Sequence, residues 1–113
     1  MQRPIALLSL VIVSACGGSV PPPNDEWAAA QVHVGRAEAG GANDVPEAKL
    51  HLQLAKEDLQ KSKELMDQDN ARAASLTAVA AAEAQLALSL AKASRAAQEA
   101  QQAQEELQKA GIR

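Results

Sequence analysis

Val45-Pro46-Glu47-Ala48-Lys49-Leu50-His51-Leu52-Gln53-Leu54-Ala55-Lys56-Glu57-Asp58-Leu59-Gln60-Lys61-Ser62-Lys63-Glu64-Leu65-Met66 is the run that decides the fold. Val45, Leu52, Leu59 and Met66 recur every seven residues, and Ala48, Ala55 and Ser62 fall between them at the other core position. Two apolar positions per seven residues is the period of a helix that packs along another helix. Large and small side chains alternate on this seam, so a partner helix can approach closely. Leu50, Leu54 and Leu65 widen the stripe on one flank, which predicts contact with a second neighbour. Lys49, Lys56, Lys61 and Lys63 alternate with Glu57, Asp58 and Glu64 as a solvated face of ordinary helical ion pairs. Asp44 is the expected cap, with Pro46 near the first helical position.

The segments on either side follow the same logic. A first helix is predicted over Asn24–Ala39, with Asn24 as N-cap and Asp25 and Glu26 in the first turn, where negative charge favours the helix dipole. Trp27, Ala30, Val34 and Ala37 share one face, Trp27 plugs a small core, and Gly40-Gly41 end the helix. After the run, Asp67-Gln68-Asp69-Asn70 breaks the stripe and supplies caps for a third helix over residues 71–110, ended by Gly111. Val79, Leu86, Ala93, Ala100 and Leu107 keep the seven-residue spacing there, with Leu76, Leu90 and Ala97 as companions and Glu83 and Gln104 interrupting that second row. If helices two and three fold back at Asp69-Asn70, the stretch that begins at Ala93 and ends at Ala110 has no partner in the hairpin, an overhang of roughly 27 Å. It is expected to serve as an oligomerisation segment, a docking surface or a fraying tail. The architecture is thus all-α: a short antiparallel helical bundle or hairpin with a long C-terminal helix.

Composition narrows the function. Phe and Tyr are absent, Trp27 is alone, and the apolar content is mainly Ala and Leu, which suits closely packed helices better than sheets or an aromatic-lined ligand pocket. The formal charge is −3, and without Arg3 ten basic residues face fourteen acidic ones. That balance leaves no basic footprint for nucleic acid or anionic lipid. His33 and His51 are the two histidines and sit on different predicted helices. Glu47 shares a helix face with His51, but no further ligand joins them at metal-site spacing. No Gly-rich phosphate loop occurs, no Ser, His and acid stand in a strand-turn-helix context, and Glu105-Glu106 point to different parts of a helix surface. No catalytic, cofactor-binding or metal residue is expected, and the chain is read as a non-enzyme.

The N-terminus gives an address. Arg3 precedes the short apolar run of residues 5–13, small residues Ser14 and Ala15 follow, and no acidic residue occurs before Asp25. The run is shorter than the roughly 20 apolar residues of a membrane span, so it reads as a cleaved export signal. Cys16, the only cysteine, stands directly after the small pair. This arrangement resembles the lipobox of bacterial lipoproteins, in which a peptidase cuts just before a lipidated cysteine. A lone thiol cannot form an internal disulfide and stays available for a diacylglycerol. The resemblance implies residues 1–15 as lipoprotein signal peptide, Cys16 as the lipidation site carrying covalent acyl chains such as palmitate, residues 16–23 as a Gly/Pro tether, and residues 24–113 as an Ala-rich helical domain. Gly17, where relatives retained at the inner membrane often carry Asp, implies the periplasmic face of the outer membrane.

The helical part resembles a family of small bacterial envelope lipoproteins known as a domain of unknown function (the DUF4398 type). The residues that carry it are Gly41-Ala42-Asn43-Asp44-Val45-Pro46, then Leu50, Ala55, Leu59 and Ser62, then Asp69-Asn70 with Ala71, Ala73, Leu76, Ala80 and Ala84. Val45 stands where that family has an alanine, and Asp44 where an aromatic is common. Leu59 to Ala84 also looks like one hairpin of a tetratricopeptide-type repeat, without a second copy. The family supplies no activity. The expected role is a lipid-anchored periplasmic module that works by protein interaction or by structural support of the cell envelope, with an envelope protein as partner and weak self-association through the overhang. Two alternatives stand beside it: a link from membrane to cell wall like the murein lipoprotein, disfavoured because the chain ends Ile112-Arg113 with its nearest lysine at Lys109, and a carrier of lipid or another apolar ligand.

Overall fold

The computed structural model describes residues 18–111. Three α-helices make up the fold: α1 (Asn24–Ala39), α2 (Pro46–Leu65) and α3 (Asn70–Lys109), with a single 3-10 turn, Ala42–Asp44, between the first two. Among the described residues there is no strand. α2 and α3 form an antiparallel hairpin, in which Ser62 meets Ala73 and Thr77 near the turn while Leu52 packs with Ala87 and Ala91 further along. α1 lies over this hairpin, antiparallel to α2 and parallel to α3, with Ala30 against Leu59 and Ala80 at one end and Ala37 against Leu52 and Ala87 at the other. The all-α architecture with a long C-terminal helix is the one the heptad pattern predicts.

The seam of α2 is buried as its spacing requires. Ala48, Leu52, Ala55, Leu59, Ser62 and Met66 are all inside, and Val45 is partly covered at the edge of the cluster. The flank is not. Leu50 is 55% exposed and Leu54 37%, so the predicted second neighbour is absent on that side. α1 instead covers the opposite flank, where Lys56 pairs with Glu38 and Lys63 lies over Trp27.

α3 corrects the sequence reading more deeply. Its buried row is Ala73, Thr77, Ala80, Ala84, Ala87 and Ala91, whereas Val79 and Leu86, of the row that the seven-residue spacing predicts, are 48% and 43% exposed. The physical reason is space. α3 must touch α1 and α2 at once, and α2 already brings Leu52, Leu59 and Met66, so methyl-sized partners let three helices close on one seam. Spacings of four and three along this alanine row are again a heptad on the side opposite Val79 and Leu86, and it faces the core, with Leu90 of the predicted companion row and Leu88 partly buried against its flanks.

The helix ends differ from the expected caps in two of three cases. Asn24 is the first helical residue, with Pro23 before it and no side-chain cap, and its own amide donates to the Pro22 carbonyl at 2.9 Å. Asp44 closes the 3-10 turn, so the residue that precedes α2 is Val45, with Pro46 at the first helical position. Asp69 does cap α3, its carboxylate accepting from the Arg72 amide at 3.1 Å. Between α1 and α2 the chain reverses through Gly41 at φ +89°, a left-handed conformation that other residues adopt at a cost. Gly40 beside it is packed closely enough that a Cβ would stand 2.3 Å from Leu88 Cδ1.

Candidate functional site

Cys16, the predicted lipidation site, and the signal segment before it lie outside the described residues, as does Gly17. The tether enters the described region at Gly18. Gly18, Ser19 and Val20 are exposed, but Pro23 is buried, and the Val20 carbonyl accepts from Asn70 Nδ2 at 2.9 Å. The last part of the tether is therefore fastened at the α2–α3 turn, which places the entry of the chain at that end of the bundle.

A broad, open cleft of about 550 Å³ lies between α1 and α2. Trp27, Val34, Gly35 and Leu59 line it with apolar surface, and Glu38, Lys56 and Lys63 stand among its polar lining. Its shape follows from Trp27. The indole Nε1 donates to the Leu59 carbonyl at 2.9 Å, wedging the start of α1 against the middle of α2, and Lys63 Nζ sits 5.0 Å from the ring centroid as a cation–π partner. Gly35 offers no side chain to fill the space beside the indole; a Cβ there would meet nothing within 4 Å. An apolar floor with lysines beside it suits an elongated amphipathic guest, and its volume lies in the range of small-molecule sites.

The two histidines are separated. His33 lies on α1 beside Gln85, while His51 on α2 contacts Glu83 of α3 through Nδ1 at 2.5 Å. Both members of the His51–Glu83 pair are about three-quarters covered. Glu83, which interrupts the companion row of α3 in the sequence, is a polar tie across the hairpin. Glu47, on the same face of α2 as His51, is exposed. Among the described residues no three His, Cys, Asp or Glu side chains are grouped as metal ligands.

One polar arrangement in the core was not anticipated. Ser62 and Thr77 are both buried, and their hydroxyls are 2.7 Å apart, with Ser62 Oγ also donating to the Ala73 carbonyl at 2.8 Å. Ser62 has one proton, so Thr77 must be the donor in the pair. A serine on an otherwise apolar seam signals such a pair from the α2 side, but Thr77 lies in the alanine row of α3, which the spacing of the larger side chains does not mark.

Beyond the bundle, α3 continues alone. Its last buried residue is Ala91, Arg95 reaches back to the Gly40 carbonyl at 2.9 Å, and every residue from 95 to 111 is exposed. The predicted overhang is thus present, shortened at its start by the contact that Arg95 makes. At 1.5 Å per residue it projects roughly 21 Å. By length and composition alone α3 contains a window apolar enough to cross a membrane, with mean hydropathy 1.4, but Glu83 and the alanine row that packs on α2 belong to the same helix. No protein-family model, curated protein or solved structure matches this chain.

Proposed function

We propose that this chain is a non-enzymatic, lipid-anchored helical module of the bacterial envelope, held through acylated Cys16 at the periplasmic face of the outer membrane and working by protein interaction. The observation that carries the reading is the exposed end of α3: a helix of 40 residues of which the last third covers nothing in its own bundle. High helix propensity keeps such a segment formed, and its heptad row gives it one face suited to another helix. The lipobox-like Ser14-Ala15-Cys16 and the likeness to the DUF4398-type lipoproteins support the anchor and the envelope address. An envelope protein partner fits the acidic, aromatic-poor surface better than nucleic acid, which a net negative chain repels.

Labelling with palmitate and fractionating the membranes tests the anchor. The wild-type chain should incorporate label and sediment with the outer membrane, and Cys16→Ser should do neither. Photo-crosslinkers placed at Gln101 and Gln108 should capture protein in intact cells, while the same probe at exposed Lys49 should not. Unlabelled wild type, or equal capture at all three positions, would refute the corresponding half of the proposal.

The cleft beside Trp27 favours a second reading, a carrier of an amphipathic lipid. Native mass spectrometry of the chain released from cells should then show a bound lipid that Gly35→Leu, which fills the cleft, removes.

A further inference from the structure

The geometry points to a second copy of this chain as a partner of α3, paired antiparallel along its outer face. The face lies half a turn from the buried alanine row. Val79, Leu86 and Leu107 are 48%, 43% and 51% exposed on it, exposed Ala93 and Ala100 continue their heptad position, and exposed Ala82, Ala96 and Ala103 stand at a second position beside it. The series Val79, Leu86, Ala93, Ala100 and Leu107 is apolar from inside the bundle to the end of the overhang, and the second position departs from alanine only at Ser89. α1 and α2 pack on the other side of the helix, so among the described residues nothing obstructs a helix laid along the row.

Charge selects the orientation. Just before the first core position of the five heptads stand Ala78, Gln85, Lys92, Glu99 and Glu106, all exposed, of which the last three are charged. In a parallel coil these would face Ala97 and Gln104 of the other helix and gain nothing. In an antiparallel coil with its two-fold axis between Ser94 and Arg95, Lys92 of each copy meets Glu99 of the other, so one register makes two symmetric ion pairs and opposes no like charges. Sliding by a heptad would set Glu99 against itself. In the favoured register Leu107 of one copy lies against Ala82 and Leu86 of the other, so the overhang that covers nothing in its own chain covers the exposed aliphatics of its partner.

The size agrees with a reversible pair. A contact along about 48 Å of helix and roughly 10 Å wide buries on the order of 1,000 Å² over both copies, the lower end of specific interfaces. Anchoring copies in one membrane would raise their effective concentration, but the pairing requires only α3 and not the acylation of Cys16.

The test uses the full chain carrying Cys16→Ser, so that an introduced thiol is the only one. Positions 96 of the two copies lie within about 5 Å along the axis, whereas positions 107 lie roughly 38 Å apart. Under mild oxidation Ala96→Cys should form disulfide dimers, Leu107→Cys alone should not, and Leu107→Cys mixed with Ala82→Cys should. In sedimentation at about 100 µM, a concentration at which a micromolar pair is mostly formed, Lys92→Glu should lower the dimer fraction several-fold and Lys92→Glu with Glu99→Lys should restore it. Both residues are exposed, so loss of folding does not confuse the result. Self-linking of Leu107→Cys as fast as Ala96→Cys would mean a parallel coil and overturn the proposal. So would a chain that stays monomeric, including one that instead partitions onto phospholipid vesicles, or a charge swap that fails to restore the dimer. Loss of palmitate labelling would refute the anchor and leave this pairing untouched.

Discussion

Leu52 and Leu86 are the same side chain at heptad positions of neighbouring helices, yet one is 1% exposed and the other 43%. The difference lies in what each helix has to meet. Leu52 projects into a wall of alanines and fills it, so Leu52→Ala or Leu59→Ala should cost about 2 to 4 kcal/mol in urea melts, while Leu86→Ala in the monomer should cost less than about 0.5 kcal/mol. Ser62 and Thr77 supply a second comparison. Removing the Ser62 hydroxyl frees Thr77 to turn its own proton to the Ala73 carbonyl one helical turn back, so Ser62→Ala should cost only about 1 kcal/mol. The solitary Trp27 makes these measurements convenient, since its fluorescence reports whether α1 remains docked on Leu59. Side chains on α2 were readable at this scale because that helix has a single apolar stripe. Those of α3 were not, since an alanine between two leucines gives no sign of which of them is inside.

At the scale of the element, the seven-residue seam of α2 was legible residue by residue, its open flank at Leu50 and Leu54 was not, and α1 and α3 were legible in their extents. α1 spans Asn24–Ala39 as its composition predicts, and α3 begins one residue earlier than the predicted range. What periodicity could not supply was the rotation of α3 about its own axis. Two seven-residue rows run along it, and size argues for the wrong one, because a bundle limits how closely bulky helices can approach. Overpacking tests that rotation: Ala84→Leu should cost about 1 to 3 kcal/mol or more, measured by denaturation, whereas Ala97→Leu, on the exposed part of the same helix, should leave stability within about 0.5 kcal/mol. Equal effects would mean that the alanine row does not define the core. The caps show the same division: Asp69 is identifiable because its carboxylate has only the α3 amides to serve, while Asn24 and Asp44 yield to the prolines and the 3-10 turn beside them.

For the whole molecule, the tether fastened at the α2–α3 turn and the free end of α3 lie at opposite ends of one long helix. An anchor at Cys16 would therefore hold one end near the lipid and present the other at a distance set by the helix. The overhang was legible from lengths alone, since a helix of 40 residues cannot be covered by one of 20. The cleft beside Trp27 was not, because it depends on how α1 rests against α2 and on Gly35 facing the gap. Truncating the chain after Arg95 tests the account most directly. The bundle should remain folded, with its urea stability within about 0.5 kcal/mol of the full-length monomer and Trp27 still docked, while a photo-crosslinker at Ala93, present in both chains, should capture partners in intact cells only from the full-length chain. A truncated chain that unfolds, or one that captures the same partners as before, would contradict it.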